Sequence, residues 1–301
     1  MASSSQPSVT EFPIADSAAG PYGITVGPDG AIWVTLVHAG GITRMAPDGE
    51  IRRFPLDDPA SGPSVITAGS DGALWFTRFR DHRIGRITPS GQVTSYPVPS
   101  REGGPYGIAA GPDGALWFTE MNADRIGRIG TDGAIEEYPL PQAGAYPSGI
   151  AAGPDGALWF TLNQANAIGR LDLGGEIALH PLPTAGAGPV GIAAGTDGTD
   201  GAIWFVEIAA GQLGRITQDG KITELPLPDR AARPHAIAAG TDGSYWFTEW
   251  GANRVGRLGP EGTIREYDLP TPASEPHGIT VGPDGTVWVA LETGAVARLA
   301  G

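Results

Sequence analysis

Tryptophan recurs at Trp33, Trp75, Trp117, Trp159, Trp204, Trp246 and Trp288, at intervals of 42, 42, 42, 45, 42 and 42 residues. A fixed period of this length marks a repeat architecture, in which no unit can bury its own apolar face and each must stack on the next. The longer interval has a visible source, because the turn at 196–201 reads TDGTDG and has duplicated three residues. Aligned on the tryptophans, the units follow P-x-G-I-x-x-G-x-D-G-x-x-W, and each divides into four short runs rich in Ile, Val, Trp, Phe, Tyr and Thr. In the third unit these are 107–111, 115–120, 125–130 and 134–140. Asp-Gly between β-forming runs signals tight hairpins, since glycine supplies the positive φ such turns need. With 47 glycines and 28 prolines punctuating the chain, the reading is all-β. Seven four-stranded antiparallel units suit a seven-bladed β-propeller, a single domain over 1–301.

The two ends complement each other. The seventh unit stops at VARLAG without a fourth strand, while Val9-Thr10-Glu11-Phe12-Pro13-Ile14 resembles fourth strands such as Ile264-Arg265-Glu266-Tyr267-Asp268-Leu269. The N-terminal strand is therefore expected to close the last blade and remove a free sheet edge.

Propeller topology says which side chains can meet. The variable residue of P-x-G-I enters one channel mouth, and the loop between second and third strands opens on the same face. In order, the variable positions are Tyr22, Ser64, Tyr106, Ser148, Val190, His235 and His277. The residues three after each tryptophan, Leu36, Arg78, Glu120, Leu162, Glu207, Glu249 and Leu291, are expected on that face too. The turns of Asp29, Asp71, Asp113, Asp155, Asp242 and Asp284 open on the other.

Residues present in every unit are scaffold, since a catalytic group is needed once and a packing group in every blade. This assigns the seven tryptophans to packing between blades, Arg44, Arg86, Arg128, Arg170, Arg215, Arg257 and Arg298 to structure, and the Asp-Gly aspartates to turns rather than calcium. The departures are more informative. Of five histidines, His235 and His277 share one repeat position in neighbouring units, whereas His38, His82 and His180 lack such company and read as solvated residues. Glu275 stands two residues before His277, where other units have Gly20, Gly62, Gly104, Tyr146, Gly188 and Arg233. The seventh unit also has a shortened loop: Trp288 to Arg298 is 10 residues where the other six steps are 11. Glu292 lies in that loop, with its register against Glu249 or Trp250 left open. Trp250 could wall an apolar pocket or be a surface aromatic.

The chain has no cysteine, which excludes disulfides, thiolate ligands and a Cys nucleophile, and it has no G-x-S-x-G elbow. A net charge of −14 argues against nucleic-acid binding and is compatible with a carboxylate-bound cation. No apolar run is long enough for a membrane-spanning helix, and the start MASSSQPSVTEFPI lacks signal-peptide regions, so a soluble cytoplasmic protein is expected.

These residues carry a resemblance. The repeats, the R-P-H-A-I of unit six, and the E-P-H-G-I followed by W-V-A-L-E of unit seven resemble the virginiamycin B lyase family over essentially the whole chain. The resemblance implies a seven-bladed propeller that opens the lactone of streptogramin B cyclic depsipeptides by magnesium-dependent elimination. It further implies His277 as general base, His235 as substrate-binding residue, and Glu275 and Glu292 as magnesium ligands. The chain departs from the repeat at Val289, which replaces the Phe of most units beneath Glu292. A monomer acting on a small cyclic depsipeptide is expected.

Independently of the resemblance, two carboxylates plus waters suit a hard cation such as magnesium, which could polarise a carbonyl while a neutral histidine takes the adjacent proton. Two other readings remain: a metal-dependent hydrolytic lactonase, and a non-catalytic sensor propeller that only grips a ligand. Metal-dependent turnover separates the sensor from the enzymes, and product mass separates the enzymes from each other.

Overall fold

The computed structural model describes residues 8–195 and 201–300. The duplicated turn at 196–201 lies, except for Gly201, outside the described residues, as do residues 1–7. The described residues form seven four-stranded sheets whose strands all pair antiparallel. They contain no helix long and apolar enough to cross a membrane.

The first blade shows the unit: inner strand Pro21–Val26, second strand Ile32–Leu36, third strand Gly41–Met45 and outer strand Ile51–Pro55. Its second strand is buried along its whole length while the outer one is exposed except at the half-buried Phe54. Cores form between blades rather than within them. Trp117 of blade three, for example, clusters with Ile150, Leu158 and Phe160 of blade four. A blade alone would leave that indole in water, which is why the period is a stacking period.

The repeated aspartate holds the repeated tryptophan and arginine as well as its turn. In blade one the Trp33 indole N–H donates to Asp29 Oδ1 at 3.0 Å and Arg44 Nε donates to Oδ2 at 2.7 Å. The same clasp recurs at Asp71, Asp113 and Asp155. Blades six and seven replace the alanine of this turn by Ser244 and Thr286, and those hydroxyls donate to Asp242 and Asp284.

Closure follows the expectation from the chain ends. Ser8–Pro13 pairs with Ala295–Ala300 over six residues, from Ser8 opposite Ala300 to Pro13 opposite Ala295. Blade seven is thus built from both ends of the described chain and lies against blade one.

Candidate active site

A bulge repeated in every blade aims the mouth residues. In blade seven, Pro276 pairs with Leu291 and Ile279 with Val289, so the inner strand carries one extra residue between them. Proline has no N–H for the ladder, and the extra residue turns the side chain that follows it toward the channel mouth. The threonine two after the tryptophan, present in five blades and replaced by Val206 and Ala290 in blades five and seven, then fixes the neighbouring bulge. Thr248 donates its hydroxyl to the His277 carbonyl at 2.9 Å, as Thr35 does to the Ser64 carbonyl at 2.6 Å. Gly278 permits the close approach of blade one, since a Cβ there would stand 2.5 Å from the Tyr22 carbonyl oxygen.

Four aromatic rings fill the mouth. Tyr22 lies against His277 with centroids 4.5 Å apart, and His277 meets His235 edge-on at 5.0 Å. The Tyr22 and Tyr106 hydroxyls are 2.6 Å apart, and Tyr22 Oη is 3.4 Å from His235 Nε2. Beneath them a cavity of about 150 Å³ is lined by channel residues including Ile24, Ile108, Ile192 and Ile279.

Glu292 joins this cluster from the shortened loop. Its backbone N–H donates to the Glu275 carbonyl, the bond that Trp250 makes to Arg233 in blade six. The open question of register is thereby answered: Glu292 occupies the place of Trp250, and Leu291 that of Glu249. The Glu292 Oε2 atom is 2.6 Å from His277 Nε2, and its Oε1 is 2.7 Å from His38 Nε2. Ligand atoms of Glu275, His277 and Glu292 all lie within 4.8 Å of one another. Glu275 sits at φ +50°, in the left-handed region that glycine occupies in blades one, two, three and five.

A model of the virginiamycin B lyase family matches residues 7–299. The chain belongs to this family. Two solved structures of virginiamycin B lyase from Staphylococcus aureus superpose over 98% of this chain and 99% of theirs with TM-score 0.93. The first is 47% identical, and the second, a catalytically inactive form with quinupristin, is 46% identical. The virginiamycin B lyase of Saccharopolyspora erythraea is 62% identical over 42 residues. That stretch spans 14% of this chain and 14% of the relative's length.

The electrostatics of the mouth are set by burial and by Glu292. Burial lowers the His277 imidazole from its usual value, although Glu292 works in the opposite direction. Burial and the nearby His277 push His235 down to about 3, so it is neutral over the ordinary range. Burial alone would raise Glu292, but hydrogen bonds from His38 and His277 outweigh it and hold that carboxyl at about 2. The Glu292 carboxylate in turn raises Glu275, with partial burial adding to the rise. The two carboxyl groups are thus pushed apart, Glu292 toward the ionised form and Glu275 away from it.

The mouth thus assembles His235, His277, Glu275 and Glu292, and adds Tyr22, Tyr106 and His38, which the sequence reading did not single out. Tyr22 is a variable-position residue of unit one, and ring closure, already expected from the chain ends, was the signal that put it beside unit seven. His38, read as solvated and without company, is half-exposed and bonded to Glu292. His180 is also no solvated residue, because it stacks on Trp159 at 5.9 Å in the outer-strand aromatic position. The residues three after each tryptophan do not line the mouth. Leu36, Arg78, Glu120, Leu162, Glu207, Glu249 and Leu291 are all buried, because that position pairs with the inner-strand proline below the bulge. Trp250 forms a wall at the rim, with the Arg233 guanidinium 5.5 Å above its ring. A hollow of about 510 Å³ lies between them and Ile208.

Proposed function

We propose that this protein inactivates streptogramin B type cyclic depsipeptides by opening their lactone ring through magnesium-assisted β-elimination. What supports this is the convergence of His277, Glu275 and Glu292 at one mouth, within a chain that resembles virginiamycin B lyases over its whole length. The quinupristin-bound relative supports the substrate class.

The donor set fits magnesium. The ion prefers oxygen ligands and keeps part of its water shell, and Glu275 and Glu292 offer two carboxylates whose ligand atoms lie within 4.8 Å of each other. Bound by Glu275 and Glu292, magnesium supplies a Lewis acid for the carbonyl beside the reacting carbon.

His277 is the base. Its Nε2 stands 2.6 Å from Glu292 Oε2, where the carboxylate would stabilise the imidazolium formed when the ring takes a proton. Neutral His277 takes the proton from the carbon between the carbonyl and the ester-bearing carbon. The electrons of that C–H bond become the new carbon–carbon double bond, and the electrons of the C–O bond leave with the ester oxygen as a carboxylate. No water is consumed. His235, kept neutral by burial, orients the substrate as a hydrogen-bonding group, and the Tyr22 ring holds His277 in place from the opposite side.

Incubation with quinupristin followed by mass measurement tests the bond chemistry. The expected product is linear, isomeric with the substrate and carries a new double bond, and His277→Ala lowers turnover at least ~10²-fold with the fold retained. A product heavier by one water would assign the site to a hydrolytic lactonase instead.

A further inference from the structure

The contact between His38 and Glu292 has no counterpart in the repeat. His38 follows the second strand of blade one, where the other blades carry Arg80, Asn122, Gln164, Ala209, Gly251 and Thr293. Its backbone N–H is tied to the Ala19 carbonyl at 3.1 Å. Its ring packs over bare backbone at Gly20, where a Cβ would stand 2.4 Å from His38 Cδ2. The ring therefore depends on a glycine at the position that blade seven gives to Glu275. From there His38 crosses the seam between the first and last blades and its Nε2 reaches Glu292 Oε1 at 2.7 Å.

Glu292 is a flexible side chain on a short loop, partly open to solvent. An imidazole on each oxygen fixes its torsions: His277 holds Oε2 and His38 holds Oε1. A carboxylate has about four acceptor sites, so two such bonds leave acceptor capacity on both oxygens for a cation. A metal ligand held in its binding orientation before the ion arrives loses little side-chain freedom on binding, and partners that orient a ligand typically govern affinity by 10- to 100-fold.

We propose that His38 is a positioning residue that presets the Glu292 carboxylate as a metal ligand from the neighbouring blade. This rests on the magnesium reading given above. Because the pair is half-exposed, it adds little to folding stability, and its effect belongs to the ion rather than to the fold.

The test measures metal affinity directly on the full chain without substrate, with magnesium by calorimetry and manganese by electron paramagnetic resonance. His38→Ala is expected to weaken both ions about tenfold or more at an unchanged melting temperature. His38→Gln, whose amide can donate to the same oxygen, is expected to restore most of that loss. Turnover by His38→Ala should recover as magnesium is raised to saturation, which a structural defect would not do. Wild-type affinity in His38→Ala, or a His38→Gln variant as weak as His38→Ala, would overturn the role of His38 alone. A wild-type protein that binds neither ion would overturn the magnesium reading and the inference with it.

Discussion

Four blades place glycine before the mouth proline, at φ between 61° and 67°, while Tyr146, Arg233 and Glu275 hold the same conformation at 57°, 51° and 50°. An L-residue there crowds its Cβ against backbone, at a cost of about 1 kcal/mol or more. Glu275 bears that cost and adds a carboxyl beside another carboxyl, two unfavourable features that a cation between them would offset. Glu275→Gly should therefore raise the melting temperature, with a gain of about 1 kcal/mol, while abolishing metal-dependent turnover. Calorimetry and activity on the same preparation check both halves, and a variant that loses stability would remove the case for strain at this position. The departure at Val289 has a simpler outcome, since that side chain is fully buried in the core between blades six and seven.

Between blades, the second strands carry buried carboxyl groups that the mouth does not use. Both oxygens of Glu120 and of Glu249 are buried without a hydrogen-bond partner. Burial, followed by the facing Glu137, raises Glu120 to about 8, with Arg125 opposing. Burial, followed by Glu266, raises Glu249 to about 8, with Arg254 opposing and Asp229 reinforcing. A carboxyl whose folded pKa lies above its unfolded value contributes fully only below the unfolded value, here 4.5, and its contribution is lost as pH rises through the folded one. Stability should accordingly fall between pH 5 and about 8.5, as the unfolded chain ionises these groups and the folded one resists. In Glu120→Gln with Glu249→Gln, the melting temperature should lose most of that pH dependence. An undiminished fall in the double variant would place the titration elsewhere.

At the scale of the molecule, stability depends on closing the ring. The strand Ser8–Pro13 supplies the outer edge of blade seven, and Phe12 lays its ring 5.9 Å from Trp288. The Glu11 carboxylate also accepts hydrogen bonds from the backbone and hydroxyl of Thr271, tying the strand to blade six. Removing residues 1–14 should cost several kcal/mol, since it strips a packed strand and reopens an edge. Thermal denaturation checks this, and an unchanged melting temperature would show that the seam closes without that strand. The seam also runs beside the site, because His38 and Tyr22 come from blade one and Glu292 and His277 from blade seven.

The tryptophan period by itself determined the number of blades, the strand count in each and the face on which the variable positions meet, because stacking units must repeat whatever buries them. Departures from the repeat likewise marked His235, His277, Glu275 and Glu292, since a side chain absent from other blades is not required to build one. Other features depended on the folded ring. Whether Glu292 matched Glu249 or Trp250 turned on one backbone hydrogen bond in a loop one residue short. The burial of Glu120 and Glu249 turned on the bulge, which shifts the pairing beneath the mouth by a residue that periodicity does not register. His38 is 254 residues from Glu292, and Tyr22 of blade one packs on His277 of blade seven, with no local pattern to link them. They meet because a closed ring makes the first blade the neighbour of the last, so contacts across the seam are fixed by the geometry of closure and leave no trace in the spacing of residues along the chain.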